Sequence, residues 1–286
     1  MPRSRSFQFS ALNIVTHPHS PETYLELLRA IYRLRQRVRV RGNQHLMIGS
    51  LASVARDKPL EGLTGILFRF DQIDSDVALG NLDRGEEASE EERLQIRIPE
   101  GLVPNFQQFN FVFYPKTHQL HFESKNTGGS LAESLLKKFF DSACAVEEII
   151  QEFGMVEVTV VPEHEQIERI LSLPSLSQLV IDLRRPNPDD LSSEEDRVLG
   201  RMQKMRTQRL VETLTSEKGQ TLAPDDQVTM LARIAAKNGS VLGKGRGSAG
   251  EPIQECTIDR SFRRTVHYNE AVDLPLDVLV TETQRP

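Results

Sequence analysis

The chain has only two cysteines, Cys144 and Cys256, in 286 residues. They lie far apart, and neither has a cysteine or histidine at metal-ligand spacing, which argues against a disulfide framework or a zinc finger. No run of about 20 apolar residues is present, so we expect no membrane-spanning helix and no membrane partner. The basic N-terminus, residues 1–6, is not followed by an apolar run and is not expected to be a signal peptide. These absences predict a cytoplasmic protein.

Common catalytic and cofactor motifs are also missing or incomplete. No G-x-S-x-G occurs, and no Ser-His-Asp or Cys-His arrangement can be recognised. The pair His17-x-His19 supplies two ligands, whereas a zinc site needs at least a third from the protein. Residues 245–250 match G-x-G-x-x-G, but no helix is predicted behind them to hold a pyrophosphate. We therefore predict no cofactor and no metal site, and interpret residues 243–250 as a mobile loop whose Lys244 and Arg246 are candidate phosphate contacts.

The periodicity of apolar residues predicts an α+β fold. Apolar residues make up 38% of the chain, which is enough for a packed core. Strands are expected near residues 7–15, 38–41, 46–51, 63–73, 109–114, 119–123, 155–161, 179–183 and 278–281. Helices are expected near residues 21–35, 131–140, 146–153, 163–171, 193–215 and 224–237. A proline-containing break at 186–192 is predicted to separate a mixed-sheet N-terminal domain, residues 1–185, from a smaller helical and β domain, residues 186–286.

Charge is distributed unevenly along the chain. The net charge of −6 argues against a nucleic-acid partner in general. However, five arginines fall within residues 33–41 and five glutamates within residues 86–92. Alternation in the strand predicted at 38–41 projects Arg37, Arg39 and Arg41 from one face. Three neighbouring guanidinium groups repel one another unless anions lie nearby. Those anions are either phosphates of a nucleic acid or the glutamates of residues 86–92.

One short motif leaves a catalytic alternative open. Glu123-Ser124-Lys125 ends the second strand of a predicted hairpin, an order similar to the E-x-K strand of metal-dependent nucleases. Such a site also needs an acidic residue on the preceding strand, and residues 105–114 contain none. The motif therefore supports a nuclease only as an alternative.

Three segments carry a resemblance to a known family. They are N-I-V-T-H-P-H-S-P at residues 13–21, P-N-P-D-D-L at 186–191 and A-A-K-N-G-S-V at 235–241. Together they resemble an uncharacterised bacterial family defined by domain of unknown function 4747. The resemblance covers nearly the whole chain. It implies a bacterial or mobile-element origin and, more distantly, a link to phage-defence proteins that bind DNA. It implies no established activity and assigns no residue a role.

The leading hypothesis is a non-enzymatic protein that associates with DNA or RNA, with a link to phage defence. Its candidate contacts are Arg37, Arg39, Arg41, Lys244 and Arg246. One alternative is a protein-interaction or assembly component, with a partner protein or further copies of the chain. The other is the metal-dependent nuclease. Salt-dependent binding of nucleic acid would favour the first hypothesis. A stable complex with a partner in the absence of nucleic acid would favour the second, and magnesium-dependent cleavage would favour the third.

Overall fold

The computed structural model describes residues 4–16, 20–72, 79–95, 99, 101–185, 193–247, 250–258 and 260–284. The fold is α+β, as predicted. The strands are β1 (Ser4–Thr16), β2 (Val38–Arg41), β3 (Gln44–Ser53), β4 (Leu63–Asp71), β5 (Gly80–Asn81), β6 (Glu86–Glu87), β7 (Gln107–Tyr114), β8 (Gln119–Asn126), β9 (Gly129–Ser130), β10 (Val156–Val160), β11 (Ser175–Arg184), β12 (Arg209–Thr215), β13 (Gly239–Arg246), β14 (Pro252–Cys256) and β15 (Arg264–Asn269). The helices are α1 (Pro21–Leu34), α2 (Glu90–Leu94), α3 (Glu133–Cys144), α4 (Glu147–Phe153), α5 (His164–Leu171), α6 (Ser193–Lys204), α7 (Asp226–Lys237) and α8 (Pro275–Thr283).

A large antiparallel sheet forms the centre of the molecule. Its strands follow the order β10-β1-β8-β7-β4-β3-β2, with β9 paired to β8. The long strand β1 pairs with β10 through residues 12–16 and with β15 through residues 4–9. The hairpin β7–β8 was predicted correctly and lies in the middle of the sheet. Strand β2 comes last in this order, next to β3, and is therefore an edge strand.

Helices α1, α3 and α4 cover one face of this sheet. Helix α1 begins as predicted, because Ser20 accepts a 3.2 Å hydrogen bond from the Thr23 backbone N–H and Pro21 occupies the first turn. The aromatic side chains of β7 on this face, Phe109, Phe111 and Phe113, are completely buried. Burial of so many large apolar groups is the main stabilising contribution to this part of the fold.

The opposite face of the sheet is partly covered by the C-terminal helix α8. Leu279 is fully buried there against a small cluster that includes Phe7, Phe9 and Val112. The strand predicted at residues 278–281 is therefore wrong. The run Val-Leu-Val favours a strand locally, but Pro275 starts a helix and packing of Leu279 on β7 overrides that preference.

A second antiparallel sheet has the order β12-β11-β13-β14. Its core contains buried apolar residues from β11, from β13 and from the helices α5, α6 and α7. Helix α7 begins at its capping residue, where the Asp225 carboxylate accepts a 2.8 Å hydrogen bond from the Val228 backbone N–H.

The single helix predicted at residues 193–215 is wrong, because the segment forms α6 and then β12. The chain turns between them at Arg206, which has a positive φ of 53°. The apolar residues of this segment still contribute to packing, because Leu199 and Met202 are buried and Leu210 and Leu214 pack partly against the second core. Apolar spacing of three and four residues cannot distinguish a helix followed by a strand from one longer helix.

The loop predicted at residues 243–250 is partly a strand, since β13 extends to Arg246. A Cβ atom added to Gly243 would lie 2.6 Å from Ile170 Cγ2, and one added to Gly245 would lie 2.3 Å from the Ser175 carbonyl oxygen. The glycine spacing therefore permits close packing of neighbouring elements. Residues 248 and 249 lie outside the described residues.

The boundary predicted between residues 185 and 186 stays a prediction, but three strand pairings cross it. Strand β11 pairs with β12 and β13, which come after the boundary, and β1 pairs with β15 near the C-terminus. The chain therefore leaves the large sheet after β10, builds the second sheet and returns to the first. None of the helices in the described ranges combines the length and apolar composition that a membrane crossing requires.

Candidate nucleic-acid interface

The arginines predicted to bind phosphate lie at the β2 edge of the large sheet. Arg37 immediately precedes β2, and Arg39 and Arg41 lie within it. All three side chains are exposed, whereas Val38 is half-buried and Val40 is buried against the helices. We call Arg37, Arg39 and Arg41 the arginine strip. The exposure of Arg37 and Arg39 follows from the alternation that directs Val38 toward the core.

A β-bulge modifies the predicted alternation. Arg39 lies opposite His45 and Arg41 opposite Gln44, so Val40 is the extra residue. Lys138 from α3 donates a 2.9 Å hydrogen bond to the Val40 carbonyl oxygen and ties this bulge to the helical layer. Arg41 therefore lies on the face of Gln44 and not on the face of Arg39, so the prediction that all three arginines project from one face is wrong for Arg41.

Arg35, which caps the C-terminus of α1, has a different role. The Arg35 guanidinium lies 4.4 Å from the centre of the Tyr32 ring and donates a 3.1 Å hydrogen bond to the Gly49 carbonyl oxygen. These contacts cap the end of α1 against β3. The five arginines of residues 33–41 therefore do not form one uniform basic surface.

Two arginines of the same region pair with three of the five glutamates in the acidic segment, residues 86–92. Arg84 approaches Glu92 to 2.8 Å, and Arg93 approaches Glu87 to 2.5 Å. Hydrogen bonds, led by that from Arg84, lower the pKa of Glu92 to about 2. Among the described residues, no ion pair joins this segment to the arginine strip. Internal pairing with the glutamates, one of the two alternatives from the sequence, is therefore not what the structure shows.

Lys244 and Arg246 lie apart from the arginine strip, on β13 of the second sheet. Both side chains are exposed, and Arg246 donates a 3.4 Å hydrogen bond to the Gly250 carbonyl oxygen. They are available to phosphate, but they belong to a different sheet from Arg37, Arg39 and Arg41. The structure thus groups three of the five candidate residues and separates the other two.

Glu123, the acid of the E-x-K motif, is buried on β8. Its carboxylate oxygens accept hydrogen bonds of 3.0 Å from Asn110 Nδ2, 3.1 Å from the Asn110 backbone N–H and 2.8 Å from Asn126 Nδ2. The oxygens that would bind a metal ion already have donors. Within the described ranges, no cluster of three or more histidine, cysteine or acidic side chains is arranged to hold a metal ion. This geometry favours a structural role for Glu123. His17 and His19 lie outside the described residues.

A cleft of about 710 Å³ lies where the large sheet meets the second core. Its charged walls are already paired, because Arg233 lies 2.9 Å from Glu168 and Lys237 lies 3.3 Å from the buried Glu195. Asn13 and Lys237 bring two of the family-like segments to this cleft, and the third, 186–191, lies outside the described residues. Its paired cations make it a weaker phosphate site than the arginine strip.

Two aromatic residues near the arginine strip were not identified from the sequence. Phe68 lies on β4, and Phe106 immediately precedes β7 with 45% of its surface exposed. Their rings pack edge to face with centroids 4.8 Å apart. Alternation along residues 63–71 could have placed Phe68 on the face opposite the helices. The sequence held no signal for the position of Phe106, because that residue lies outside the strand.

Comparison with known proteins gives a family and no activity. No curated protein matches the chain. The profile of one family, described as Domain of unknown function (DUF4747), matches residues 5–283. This match covers both sheets and every helix described above. The chain therefore belongs to the DUF4747 family.

Proposed function

We propose that this protein is a non-enzymatic, cytoplasmic nucleic-acid-binding protein that contacts phosphates through the arginine strip. The observation that carries the proposal is that Arg37, Arg39 and Arg41 are exposed on one sheet edge without an acidic partner among the described residues. Arginine suits phosphate because its planar guanidinium donates two parallel hydrogen bonds. Phosphates relieve the repulsion between neighbouring guanidinium groups, which the glutamates of residues 86–92 do not.

The main competing explanation is protection of the sheet edge. Charged side chains on an edge strand deter pairing with a second protein, and β2 is such a strand. A triple variant distinguishes the two explanations, because only phosphate contact changes the salt dependence of nucleic-acid binding.

The first prediction concerns replacement of Arg37, Arg39 and Arg41 by alanine. We expect binding of DNA and RNA oligonucleotides to weaken on all sequences, and the slope of log affinity against log salt to fall by roughly one per arginine. Fluorescence anisotropy at about 50 and 200 mM salt measures both quantities.

The matched control replaces Arg56, Lys116 and Arg201, which are exposed basic residues in other parts of the chain. Both variants change the net charge from −6 to −9, so a specific loss in the first variant cannot come from net charge. Equal binding by the two variants, or aggregation of the first with unchanged affinity, would support edge protection and contradict the proposal.

A setting in bacterial phage defence is also part of the proposal, and it is supported only by the family resemblance. If the protein acts in defence by binding nucleic acid, we expect phages to form fewer plaques on cells that express it. Cells that express the arginine triple variant should lose this protection. Equal plaque numbers with and without the protein, across a phage panel, would remove this part of the proposal.

A further inference from the structure

The face of the large sheet opposite the helices carries an aromatic platform, which we define as the half-buried Phe68 and the exposed Phe106. The Phe68 ring lies against Gly49 of β3, since a Cβ atom at that glycine would lie 2.2 Å from the ring. The Phe106 ring meets Phe68 edge-on, with an interplanar angle of 62°. Gln108, the residue opposite Phe68 on β7, is exposed, so solvent reaches this part of the face.

Phe106 is held in place by its neighbours. The Asp71 backbone N–H donates a 3.0 Å hydrogen bond to the Pro104 carbonyl oxygen, and Asn105 Nδ2 donates one of 2.6 Å to Asp71 Oδ2. Asn105 adopts a positive φ of 53°, a conformation that asparagine tolerates better than most residues. An exposed ring on a fixed backbone loses little conformational entropy when a flat ligand stacks on it.

The platform and Arg39 lie on the same side of the sheet, whereas the bulge places Arg41 on the other side. Arg39 of β2 lies opposite His45 of β3, and His45 lies opposite Phe70 of β4. Two residues along β3 from His45, Met47 lies opposite Phe68 of β4. These residues alternate with Leu46 and Leu67, whose side chains lie in the helical core. Arg39 and the aromatic residues of β4 are therefore two strands apart, or roughly 10 Å.

We propose that the ligand of this face is single-stranded nucleic acid, with a base stacked on Phe106 and the adjoining phosphates bound at the sheet edge by the arginine strip, beginning with Arg39, which shares the face of Phe106. This inference rests on the proposed function and specifies its substrate class. Basic side chains that follow a backbone, combined with aromatic rings that stack bases, are the usual means of binding single strands without sequence preference. The carboxylate of Asp71 accepts a hydrogen bond from Asn105, the residue before Phe106.

Double-stranded nucleic acid can make the phosphate contacts of this arrangement but not the stacking contact. Its phosphates can contact Arg37, Arg39 and Arg41, but its bases are stacked within the helix and cannot reach an aromatic ring. The platform therefore adds affinity for single strands alone. The arginine strip contributes to the binding of both.

The test uses the full chain, a labelled single-stranded oligothymidine and a duplex of the same length. We expect Phe106→Ala to weaken single-strand binding about tenfold and to leave duplex binding unchanged. Phe106→Trp should retain single-strand binding because it keeps an aromatic face. Leu102→Ala is the matched control, since it removes an exposed apolar side chain from the same segment.

Phe106→Trp also reports stacking directly, because the chain contains no tryptophan of its own. Oligothymidine should quench its fluorescence with the same midpoint as the anisotropy titration. The control Val211→Trp, at an exposed position on β12 of the second sheet, should not respond. One outcome is that Phe106→Ala binds single strands like wild type while the arginine triple variant loses binding to both probes. Base stacking on the platform is then refuted, and the proposed function stands. If wild-type protein binds neither probe at low salt, the proposed function fails and this inference fails with it.

Discussion

Glu133 shows at the scale of one residue how a buried charge connects distant parts of the chain. It lies in the first turn of α3, and its carboxylate accepts hydrogen bonds of 2.7 and 2.9 Å from Arg263 and of 2.8 Å from Ser261 Oγ. Burial alone would raise the pKa of Glu133, but the hydrogen bonds and the charge of Arg263 outweigh it, and the pKa is lowered. The returning C-terminal segment is thereby tied to the helical layer.

This pairing predicts a pH-dependent effect of Glu133→Gln. A carboxyl whose pKa is lowered in the folded state contributes stability above its unfolded value, about 4.3, and loses it as the pH falls through the folded value. At pH 7 we expect a loss of roughly 2 kcal/mol in the free energy of unfolding, because a charged hydrogen-bond partner is removed from a buried site. The difference from wild type should shrink below about pH 4. Urea unfolding at several pH values measures it.

The exposed Glu152 provides the control for this prediction. Glu152→Gln should lower the free energy of unfolding at pH 7 much less than Glu133→Gln does, since the Glu152 side chain is exposed on the last turn of α4. A Glu133→Gln protein whose deficit stays constant from pH 7 to about pH 3 would show that lost packing, and not lost charge, accounts for the effect.

At the scale of an element, the glycines of β13 determine how closely it approaches its neighbours. Gly245 lies at the register shift between Leu176 and Gln178 of β11, where the two backbones come close together. Gly245→Ala should lower the free energy of unfolding by roughly 2 kcal/mol, because a Cβ atom there meets the rigid carbonyl of Ser175.

Gly200, in α6, is the matched control for Gly245. An added Cβ at Gly200 meets no atom within 4 Å, so Gly200→Ala should raise the free energy of unfolding by about 1 kcal/mol through better helix propensity. Chemical denaturation of both variants makes the comparison. Equal effects at the two positions would contradict the close-approach explanation.

At the scale of the whole molecule, the return of the chain to the first sheet predicts that its halves do not separate cleanly. A fragment of residues 1–185 would lack β15 and α8, which cover Phe7 and Val112, and would leave β11 without its partners β12 and β13. We expect this fragment to show no cooperative thermal unfolding by circular dichroism. A sharp transition near that of the full chain would instead support an independent domain ending at residue 185.

The sequence predicted local structure well where local chemistry was sufficient. The start of α1 followed from Ser20 and Pro21, and the β7–β8 hairpin followed from its alternating apolar residues and polar turn. The exposure of Arg37 and Arg39 followed from Val38 between them. Predictions failed where two structures share one apolar pattern, as at residues 193–215, or where packing overrode propensity, as in α8.

The sequence by itself determined the α+β class, the capped helices and the exposed arginines, because each depends on residues within a few positions of one another. Only the tertiary structure decided which charges meet. It paired the acidic segment with Arg84 and Arg93, placed Lys244 and Arg246 on a separate sheet, and set Phe106 on the face that Arg39 shares. Strand order and register govern such contacts, and they arise from pairings between segments far apart in the chain, which no local pattern encodes.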